Sequence, residues 1–241
     1  MRVKDLVARK LRRFPLLMRG ASWLYHLANR SFRSLSAGGP EAVLRGLQEA
    51  KNGMGSEPGD YYEFGVFRGF TLLSAFESAN ELELDKMRFW GFDSFEGLPE
   101  LEESDRGDGE FFEGQFSCSR DKVEKALGRR GFDWGRAALV EGFFDSRLTE
   151  ELRSEHPFAP AAVVNLDCDL HSSTRDALNW IRPYLQNGTV LLFDDYYSYG
   201  RREDRGQPLA LAEFLNENGK VTVKALWEYP FHGKAFRVVM E

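Results

Sequence analysis

Two short, largely apolar runs that each end in aspartates constrain the fold of this sequence most strongly. The first spans residues 163–166 and is followed by Asp167, while the second spans residues 190–193 and is followed by Asp194. Continuous runs of this kind are typical of strands in a parallel sheet that is covered on both faces. The residues between them repeat apolar side chains at helical spacing, so a strand–helix–strand unit with parallel strands is predicted.

The parallel arrangement brings the ends of both runs to one edge of the sheet, where four carboxylates are predicted to meet. They belong to Asp167, Asp169, Asp194 and Asp195. Open α/β sheets bind ligands at the carboxyl ends of their strands, and neighbouring strands lie about 4.8 Å apart. Carboxylates this close repel one another unless a cation or protons compensate their charge. The pattern therefore predicts a metal ion at this edge.

Asp194 and Asp195 are adjacent, so a regular strand would direct their side chains to opposite faces of the sheet. Both can bind one ion only if the strand ends at this point, which the tyrosine-rich segment 196–206 supports. That segment is also predicted to be a mobile lid over the carboxylates. In an alternative interpretation, Asp195 caps a helix or pairs with an arginine of the lid. The candidate arginines are Arg201, Arg202 and Arg205.

A glycine-rich segment follows the first predicted core strand, which spans residues 61–66. Its two glycines have the spacing Gly65-x-x-x-Gly69, and a glycine loop of this kind lets a ligand approach backbone N–H groups closely. An ordinary strand-to-helix turn can have the same spacing. The next strand ends in Asp93, and an acid in this position hydrogen-bonds ribose hydroxyls in nucleoside-binding α/β folds. Together these features predict a site for a nucleoside cofactor.

The chain of 241 residues is long enough for one α/β domain with a sizeable core. Its two cysteines, Cys118 and Cys168, lie outside any C-x-x-C spacing, which argues against a zinc site or a disulfide framework. A reducing, cytoplasmic setting is therefore expected. Segments 220–228 and 235–240 are predicted to close the sheet as an antiparallel pair.

Residues 1–36 differ from the rest of the chain because they contain nine lysines or arginines and a single acid, Asp5. Apolar side chains recur there at three- and four-residue steps, which predicts an amphipathic helix. Arginines interrupt any apolar core, so the segment is not expected to be a secretory signal, and no stretch approaches a membrane span. A basic helix can lie on a membrane, touch nucleic acid, or cover the acidic body or a second subunit. The last interpretation is preferred.

A break at residues 36–40 precedes a second helix over residues 42–50, and the two helices define a predicted N-terminal extension, residues 1–55. The remaining residues, 56–241, are assigned to the α/β domain. Within it, the acidic segment from 100 to 113 is predicted to be a surface loop. Three phenylalanines in and beside this loop either cover a bound ring or tuck beneath the loop. They are Phe111, Phe112 and Phe116.

Four motifs resemble those of the macrocin-type O-methyltransferase family, whose members transfer a methyl group from S-adenosylmethionine to sugar hydroxyls of antibiotics and related natural products. The similarity runs from about residue 61 to the C-terminus. The motif that begins at Asp93, combined with two downstream aspartate pairs, is quite specific, whereas the glycine loop is much less so. The motifs are E-F-G-V-F-R-G at 63–69, G-F-D-S-F-E-G-L-P at 91–99, L-D-C-D-L-H-S-S-T at 166–174 and F-D-D-Y at 193–196.

The resemblance implies a Rossmann-like class I methyltransferase fold, with a seven-stranded, mostly parallel sheet and a C-terminal antiparallel hairpin. It implies that Glu63 contacts the methionine part of the cofactor and that Asp93 holds its ribose. The other expected cofactor-binding residues are Gly65, Gly69, Ser94 and Gly142. A divalent ion, usually Mg²⁺, would be bound by the residues Asp167, Asp194 and Asp195.

Asp169 matches the family position of the candidate general base, which would remove the proton from the acceptor hydroxyl. His171 is a competing candidate, because Asp167, Asp169 and His171 would point the same way from an extended chain and imidazole has a suitable pKa. The family commonly has tyrosine where this chain has His171. Ser172 or Ser173 is the expected N-cap of the helix that follows.

The leading functional hypothesis is a metal-assisted O-methyltransferase that acts on a small-molecule hydroxyl in a sugar or glycosylated natural product. A second hypothesis is a nucleic-acid methyltransferase that uses the basic N-terminal helix as an arm, although the acidic body would repel phosphates. A third is a non-catalytic α/β protein that keeps a nucleoside pocket as a binding or assembly module. A small-molecule acceptor is thus the expected partner. Neither a nucleic-acid partner nor stable membrane insertion is expected. A homo-oligomer that forms through the N-terminal helix is a further option.

Overall fold

The computed structural model describes residues 38–106 and 111–240, which form a seven-stranded sheet flanked by helices. The strand order is β3-β2-β1-β4-β5-β7-β6. The strands are β1 (Asp60–Phe64), β2 (Phe89–Asp93), β3 (Ala137–Glu141), β4 (Ala161–Leu166), β5 (Val190–Phe193), β6 (Val221–Tyr229) and β7 (Gly233–Met240). The helices are α1 (Gly38–Met54), α2 (Phe70–Glu81), α3 (Arg120–Gly128), α4 (Phe144–Arg147), α5 (Leu152–Glu155), α6 (His171–Ile181) and α7 (Gly206–Glu217), with a 3₁₀ turn (Arg182–Tyr184) after α6.

Strands β1 to β5 run parallel and form the hydrophobic centre of the sheet. Every residue of β1, β4 and β5 is buried, as expected for parallel strands that are covered by helices on both faces. Strands β4 and β5 are direct neighbours, so the strand–helix–strand unit predicted from the sequence is confirmed. Strand β7 pairs antiparallel with both β5 and β6, which confirms the predicted closing hairpin.

Helices cover the sheet on both sides and produce two hydrophobic clusters. One cluster contains Leu47 of α1 and Leu72 of α2, and the other contains Leu178 of α6 and Phe214 of α7. The strand order reverses between β1 and β4, which opens a crevice at the carboxyl ends of these two strands. None of the helices in the described part of the chain combines the length and the apolar character that crossing a bilayer requires.

The described part of helix α1 starts at Gly38 and includes Gly39 and Pro40, whereas the sequence predicted a break over residues 36–40. A Cβ atom added to Gly38 would lie 2.9 Å from the carbonyl oxygen of Pro230, so the start of α1 packs directly on the β6–β7 turn. Gly38, Gly39 and Pro40, which indicated a break, are therefore part of the helix.

Helix α1 also packs tightly on the sheet, although its sequence was assigned to the N-terminal extension. A Cβ atom added to Gly46 would lie 3.5 Å from the side chain of Leu192 in β5, and Leu47 has no exposed surface. The division of the chain into residues 1–55 and 56–241 stays a prediction. The predicted basic helix at the N-terminus lies outside the described residues.

Replacing Leu47 with alanine should lower the free energy of unfolding of the α/β domain by roughly 2–5 kcal/mol, because it leaves a cavity between α1 and the sheet. Gln48→Ala, on the exposed side of the same helix, is the matched control and should change this free energy by less than about 0.5 kcal/mol. Urea denaturation followed by circular dichroism and tryptophan fluorescence measures both. A separate early transition for the helix, or equal effects of the two variants, would contradict a shared core.

Candidate active site

A cavity of about 250 Å³ opens at the carboxyl edge of the sheet. This volume is close to the lower end of the range for small-molecule sites. The residues predicted from the sequence that line it are Gly65, Asp93, Ser94, Gly142, Asp167, Asp169, Asp194 and Asp195. Three further predicted residues, Glu63, Gly69 and His171, lie outside its lining. The cavity therefore joins the ends of β1, β2, β3, β4 and β5 in a single site.

The glycine-rich loop after β1 approaches the end of β4 so closely that only glycine fits at residue 65. Gly65 has a φ of 95°, and a Cβ atom built on it would lie 1.7 Å from the carbonyl oxygen of Asp167. The second glycine of the loop, Gly69, has a φ of 77° and packs against Val123 and Leu127 of α3. Gly65 thus shapes the cavity directly, whereas Gly69 supports the loop from behind.

Asp93 ties the glycine-rich loop to the end of β2. Its Oδ2 accepts hydrogen bonds from the backbone N–H groups of Val66 (2.7 Å) and Phe67 (2.8 Å), and its Oδ1 accepts one from Phe95 (2.6 Å). Burial raises the pKa of Asp93, while these three hydrogen bonds lower it by stabilising the charged form. Oδ1 keeps a second lone pair, so Asp93 can also accept a hydrogen bond from a ligand in the cavity.

Ser94 and Gly142 complete the part of the cavity that surrounds Asp93. The Ser94 hydroxyl donates to the carbonyl oxygen of Gly97 (2.7 Å) and accepts the N–H of Glu96 (3.1 Å), which closes a tight turn. The N–H of Gly142 donates to the carbonyl oxygen of Asp93 (3.0 Å). Both residues place small groups at the cavity wall, where a ligand can approach the backbone closely.

Glu63 lies beneath the cavity in a buried polar cluster. Its Oε2 accepts hydrogen bonds from the Tyr61 hydroxyl (2.5 Å) and the Asn165 amide (3.4 Å), while its Oε1 has no hydrogen-bond partner among the described residues. Burial raises the pKa of Glu63 to about 8, against the lowering effect of the two hydrogen bonds. The contact between Glu63 and the methionine part of a cofactor stays a prediction.

The three predicted metal ligands lie close together in the lining of the cavity. One oxygen from each of Asp167, Asp194 and Asp195 lies within 4.8 Å of the other two. Strand β5 ends at Phe193, so the two adjacent aspartates are outside the regular strand. This strand end meets the condition, stated from the sequence, under which both aspartates can face one ion.

Asp195 is held in the carboxylate cluster by the turn that follows it. Its N–H donates to Oε1 of Gln207 (3.0 Å), whose Nε2 donates to the carbonyl oxygen of Leu166 at the end of β4 (2.9 Å). Its Oδ1 accepts a hydrogen bond from the Ser198 hydroxyl (2.9 Å). The arginines considered as alternative partners bind other acceptors: Arg201 pairs with Glu228, Arg202 with Asp204, and Arg205 with the carbonyl oxygen of Arg106. The structure therefore favours Asp195 as a member of the cluster.

The close packing of these carboxylates is electrostatically unfavourable without a cation. Burial is the main cause that raises the pKa of Asp167 well above its ordinary value, and repulsion from Asp194, Asp195 and Asp169 raises it further. Burial and the charge of Asp195 raise the pKa of Asp194 to about 7. A divalent cation would relieve this repulsion, and carboxylate oxygens are the hard donors that Mg²⁺ prefers. The donor set therefore fits the predicted ion.

Asp169 lines the cavity, but His171 does not, because the chain turns between them. Asp169 adopts a left-handed backbone conformation, with a φ of 60°. The expectation that Asp167, Asp169 and His171 point the same way from an extended chain is therefore wrong. His171 is buried at the start of α6, with its Nε2 2.7 Å from Glu213 and its Nδ1 3.2 Å from the hydroxyl of Ser104.

The expected N-cap of α6 is also wrong. The helix begins at His171, so Ser172 and Ser173 lie inside its first turn, and Leu170 occupies the N-cap position. Leucine has no side-chain oxygen that could accept the first helical N–H groups. Asp105, from the loop between β2 and α3, accepts the N–H of His171 instead (2.7 Å). The capping carboxylate comes from a distant segment, which local sequence rules do not detect.

Aromatic side chains form a wall of the cavity. Phe116 lines it and contacts Phe67 edge to face, with ring centroids 5.8 Å apart. Both residues have positive φ angles, 62° and 49°, a strained conformation that clusters at ligand sites. Phe143 and Phe144 also line the cavity, and the sequence analysis did not propose them. They follow the end of β3, so the strand-end rule that located the aspartates could have found them.

The predicted lid, residues 196–206, forms turns beside the carboxylate cluster. The Tyr197 hydroxyl donates to Glu228 of β6 (2.8 Å), which attaches the lid to the closing hairpin. The ring of Tyr199 lies 5.8 Å from that of Phe111, which connects the lid to the loop between β2 and α3. The mobility of the lid stays a prediction.

The strand order, the one antiparallel strand of this sheet and the cavity at its carboxyl edge define the class I methyltransferase fold. The O-methyltransferase NovP superposes with a TM-score of 0.66 at 19% identity, over 82% of this chain and 78% of that structure. The calicheamicin methyltransferase CalS11 gives 0.64 at 23% identity, over 81% and 77%. At these identities the likeness concerns the fold.

The family follows from the sequence comparison. Residues 41–218 match the profile of the macrocin-O-methyltransferase (TylF) family. This match covers most of the chain, so the protein belongs to that family. The family assignment agrees with the resemblance that the four sequence motifs indicated.

Two relatives of known activity show similar sequences. The 8-demethyl-8-(2,3-dimethoxy-alpha-L-rhamnosyl)-tetracenomycin-C 4'-O-methyltransferase of Streptomyces olivaceus is 32% identical over 147 residues, which is 58% of this chain. The mycinamicin III 3''-O-methyltransferase of Micromonospora griseorubida is 27% identical over 169 residues, or 67% of this chain. The chain spans 53% and 62% of the lengths of these two relatives.

The buried carboxyl of Glu63 should make the stability of the cation-free protein depend on pH. Between about pH 4.5 and 8 the unfolded protein releases the Glu63 proton while the folded protein keeps it, so this group destabilises the fold progressively as the pH rises. Glu63→Gln removes the titration and keeps a similar shape. Its free energy of unfolding should match that of the wild type near pH 4.5 and exceed it by a few kcal/mol at pH 8.

Denaturation of both proteins in chelator, at several pH values, measures this difference. Glu217→Gln, at an exposed glutamate, is the matched control and should show no growth of the difference with pH. A difference between Glu63→Gln and the wild type that stays constant from pH 4.5 to 8 would contradict the raised pKa.

Proposed function

We propose that this protein is an S-adenosylmethionine-dependent O-methyltransferase that acts, with the help of a divalent cation, on a hydroxyl group of a sugar or glycosylated natural product. The observation that carries the proposal is one cavity that connects a nucleoside-type site to three clustered carboxylates. Asp93 and Gly65 of the glycine-rich loop line this cavity together with Asp167, Asp194 and Asp195. Such a layout suits methyl transfer, in which the acceptor oxygen must be aligned with the methyl group.

The names of the relatives support a sugar hydroxyl as the acceptor. One is named for a rhamnosyl-bearing tetracenomycin, and the other for mycinamicin III. The lining of the cavity supports a small neutral acceptor. Among the described residues it contains five aspartates and no lysine or arginine, so the phosphates of a nucleic acid would be repelled.

The residues proposed to bind the cofactor are those that surround the glycine-rich loop. Asp93 would accept a hydrogen bond from a ribose hydroxyl through the remaining lone pair of Oδ1, while it keeps the loop in place. Gly65, Ser94 and Gly142 would allow the cofactor to approach the backbone, and Gly69 would support the loop. Phe116 would cover part of the bound molecule. When bound, S-adenosylmethionine supplies the methyl group.

The residues proposed to hold a divalent cation, for which Mg²⁺ is the first candidate, are Asp167, Asp194 and Asp195. When bound, such a cation supplies Lewis acidity that lowers the pKa of an acceptor hydroxyl. The clustering of the three carboxylates supports this proposal, because burial and mutual repulsion raise the pKa of Asp167 and of Asp194, and a cation would relieve that repulsion.

Asp169 is the proposed general base, because it lines the cavity beside the proposed ligand set, whereas His171 is buried behind it. A bound S-adenosylmethionine would supply the methyl group for the new C–O bond, and its sulfur would keep the electron pair of the S–C bond. The carboxylate of Asp169 takes the hydroxyl proton. His171 instead links Ser104 to Glu213 and supports the packing of α6.

The proposal predicts a different loss for each aspartate. Asp169→Asn should lower turnover by at least about 100-fold, because a general base contributes that much or more. Asp194→Asn should remove the stimulation of turnover by Mg²⁺. Both variants should bind S-adenosylhomocysteine like the wild type. His171→Gln, which keeps hydrogen-bonding groups, should lose much less turnover than Asp169→Asn. Mass spectrometry of methylated products from a panel of glycosylated natural products measures turnover, and calorimetry measures binding.

Each part of the proposal has its own contradicting outcome. Undiminished turnover in excess chelator would refute the role of the cation. An inactive His171→Gln beside an active Asp169→Asn would reassign the base. Absence of binding of both S-adenosylmethionine and S-adenosylhomocysteine would refute the methyltransferase assignment itself.

A further inference from the structure

We infer that Asp105 is a positioning residue that fixes the turn carrying Asp169 by capping helix α6 from the loop between β2 and α3. Asp105 lies in the segment that the sequence predicted to be a surface loop, yet only 2% of its surface is exposed. A carboxylate is rarely buried to this extent without partners that compensate its charge. The inference rests on the proposed role of Asp169 as the base.

The partners of Asp105 are the first polar groups of α6. Its Oδ1 accepts the N–H of His171 at 2.7 Å and that of Ser172 at 3.4 Å, and its Oδ2 accepts the Ser172 hydroxyl at 2.6 Å. The first N–H groups of a helix have no partner within the helix, and its N-terminus carries partial positive charge. Asp105 therefore provides both the acceptor and the negative charge that this helix start requires.

Helix α6 depends on this outside cap because its own N-cap residue, Leu170, provides no side-chain acceptor. The hydroxyl of Thr174 donates a hydrogen bond to the carbonyl oxygen of Leu170 (2.7 Å). It thus pairs with a carbonyl group and not with one of the first N–H groups of the helix. Removal of the Asp105 carboxylate would leave the N–H of His171 buried without its acceptor.

The cap bears on Asp169 because the turn between β4 and α6 is short and held at both ends. At the strand end, the N–H of Asp167 donates to the carbonyl oxygen of Phe64 (2.9 Å). At the helix end, the N–H of Leu170 donates to the carbonyl oxygen of Cys168 (2.6 Å), and the next N–H groups reach Asp105. Asp169 keeps its left-handed φ of 60° between these two anchors. Such a conformation is strained and persists only where the surroundings hold it.

The loop that carries Asp105 is attached to α6 at two further points. Glu102 forms a two-pronged ion pair with Arg175 (3.2 and 3.3 Å), and the Ser104 hydroxyl lies 3.2 Å from Nδ1 of His171. The same loop contributes Leu98 to the cavity wall. Asp105 is the buried member of this set, so it connects the wall of the cavity to the turn of the proposed base.

The test compares three single variants of the full chain. Asp105→Ala removes the cap, whereas Asp105→Asn keeps an oxygen for the helical N–H groups and an amide that can donate to the Ser172 hydroxyl. Glu103→Ala is the matched control, since Glu103 belongs to the same loop and its side chain is 93% exposed. The measurements are kcat per folded protein, KM for the acceptor, S-adenosylhomocysteine affinity, and hydrogen exchange of the backbone amides of His171 and Ser172.

Asp105→Ala should lower kcat by about 10- to 100-fold, as loss of a contact that orients a reacting group does. It should speed amide exchange at the start of α6 and leave S-adenosylhomocysteine affinity within about twofold of the wild type. Asp105→Asn should restore most of kcat, and Glu103→Ala should match the wild type.

Four results would overturn the inference. One is faster exchange in Asp105→Ala without loss of kcat per folded protein, which would make the cap only structural. Another is equal loss in Asp105→Ala and Glu103→Ala. Asp169→Asn is measured in the same assay. If this variant keeps wild-type turnover, the proposed base is refuted, and with it the route through which Asp105 acts. An inactive Asp169→Asn beside a fully active Asp105→Ala would overturn only the role of Asp105.

Discussion

The contact between the glycine-rich loop and the end of β4 is the constraint on which the rest of the structure depends. Any side chain at residue 65 would collide with the carbonyl oxygen of Asp167, so glycine alone allows these two strand ends to meet. Their meeting places the loop, Asp93 and the aspartates beyond β4 and β5 around one cavity.

The positions of the cavity aspartates could be predicted from the sequence because they depend on the regular part of the fold. Parallel strands that neighbour each other must end at one edge, so Asp167 and Asp194 had to come close once β4 and β5 were recognised. The same rule located Asp93 at the end of β2. Asp195 required one more condition, the end of the strand at Phe193, and the following tyrosines and glycines indicated it.

The remaining features depend on irregular backbone and on contacts between distant segments. His171 was expected beside Asp169, but the left-handed turn at Asp169 ends the two-residue alternation of an extended chain. Asp105 was assigned to a solvated loop because nothing local shows that it reaches α6. Glu63 was expected to contact the methionine part of the cofactor, and its hydrogen bond to Asn165 depends on the register between β1 and β4. Patterns along the chain carry no information on such long-range partners.

The proposed divalent-cation site consists of Asp167, Asp194 and Asp195 at the carboxyl edge of the sheet. Titration of Mn²⁺, followed by electron paramagnetic resonance and displaced by Mg²⁺, tests this claim without reliance on an acceptor. The wild type should bind one ion per chain, Asp167→Asn should lose this binding, and Asp169→Asn should keep it. Absence of saturable binding by the wild type, or unchanged binding by Asp167→Asn, would contradict the account.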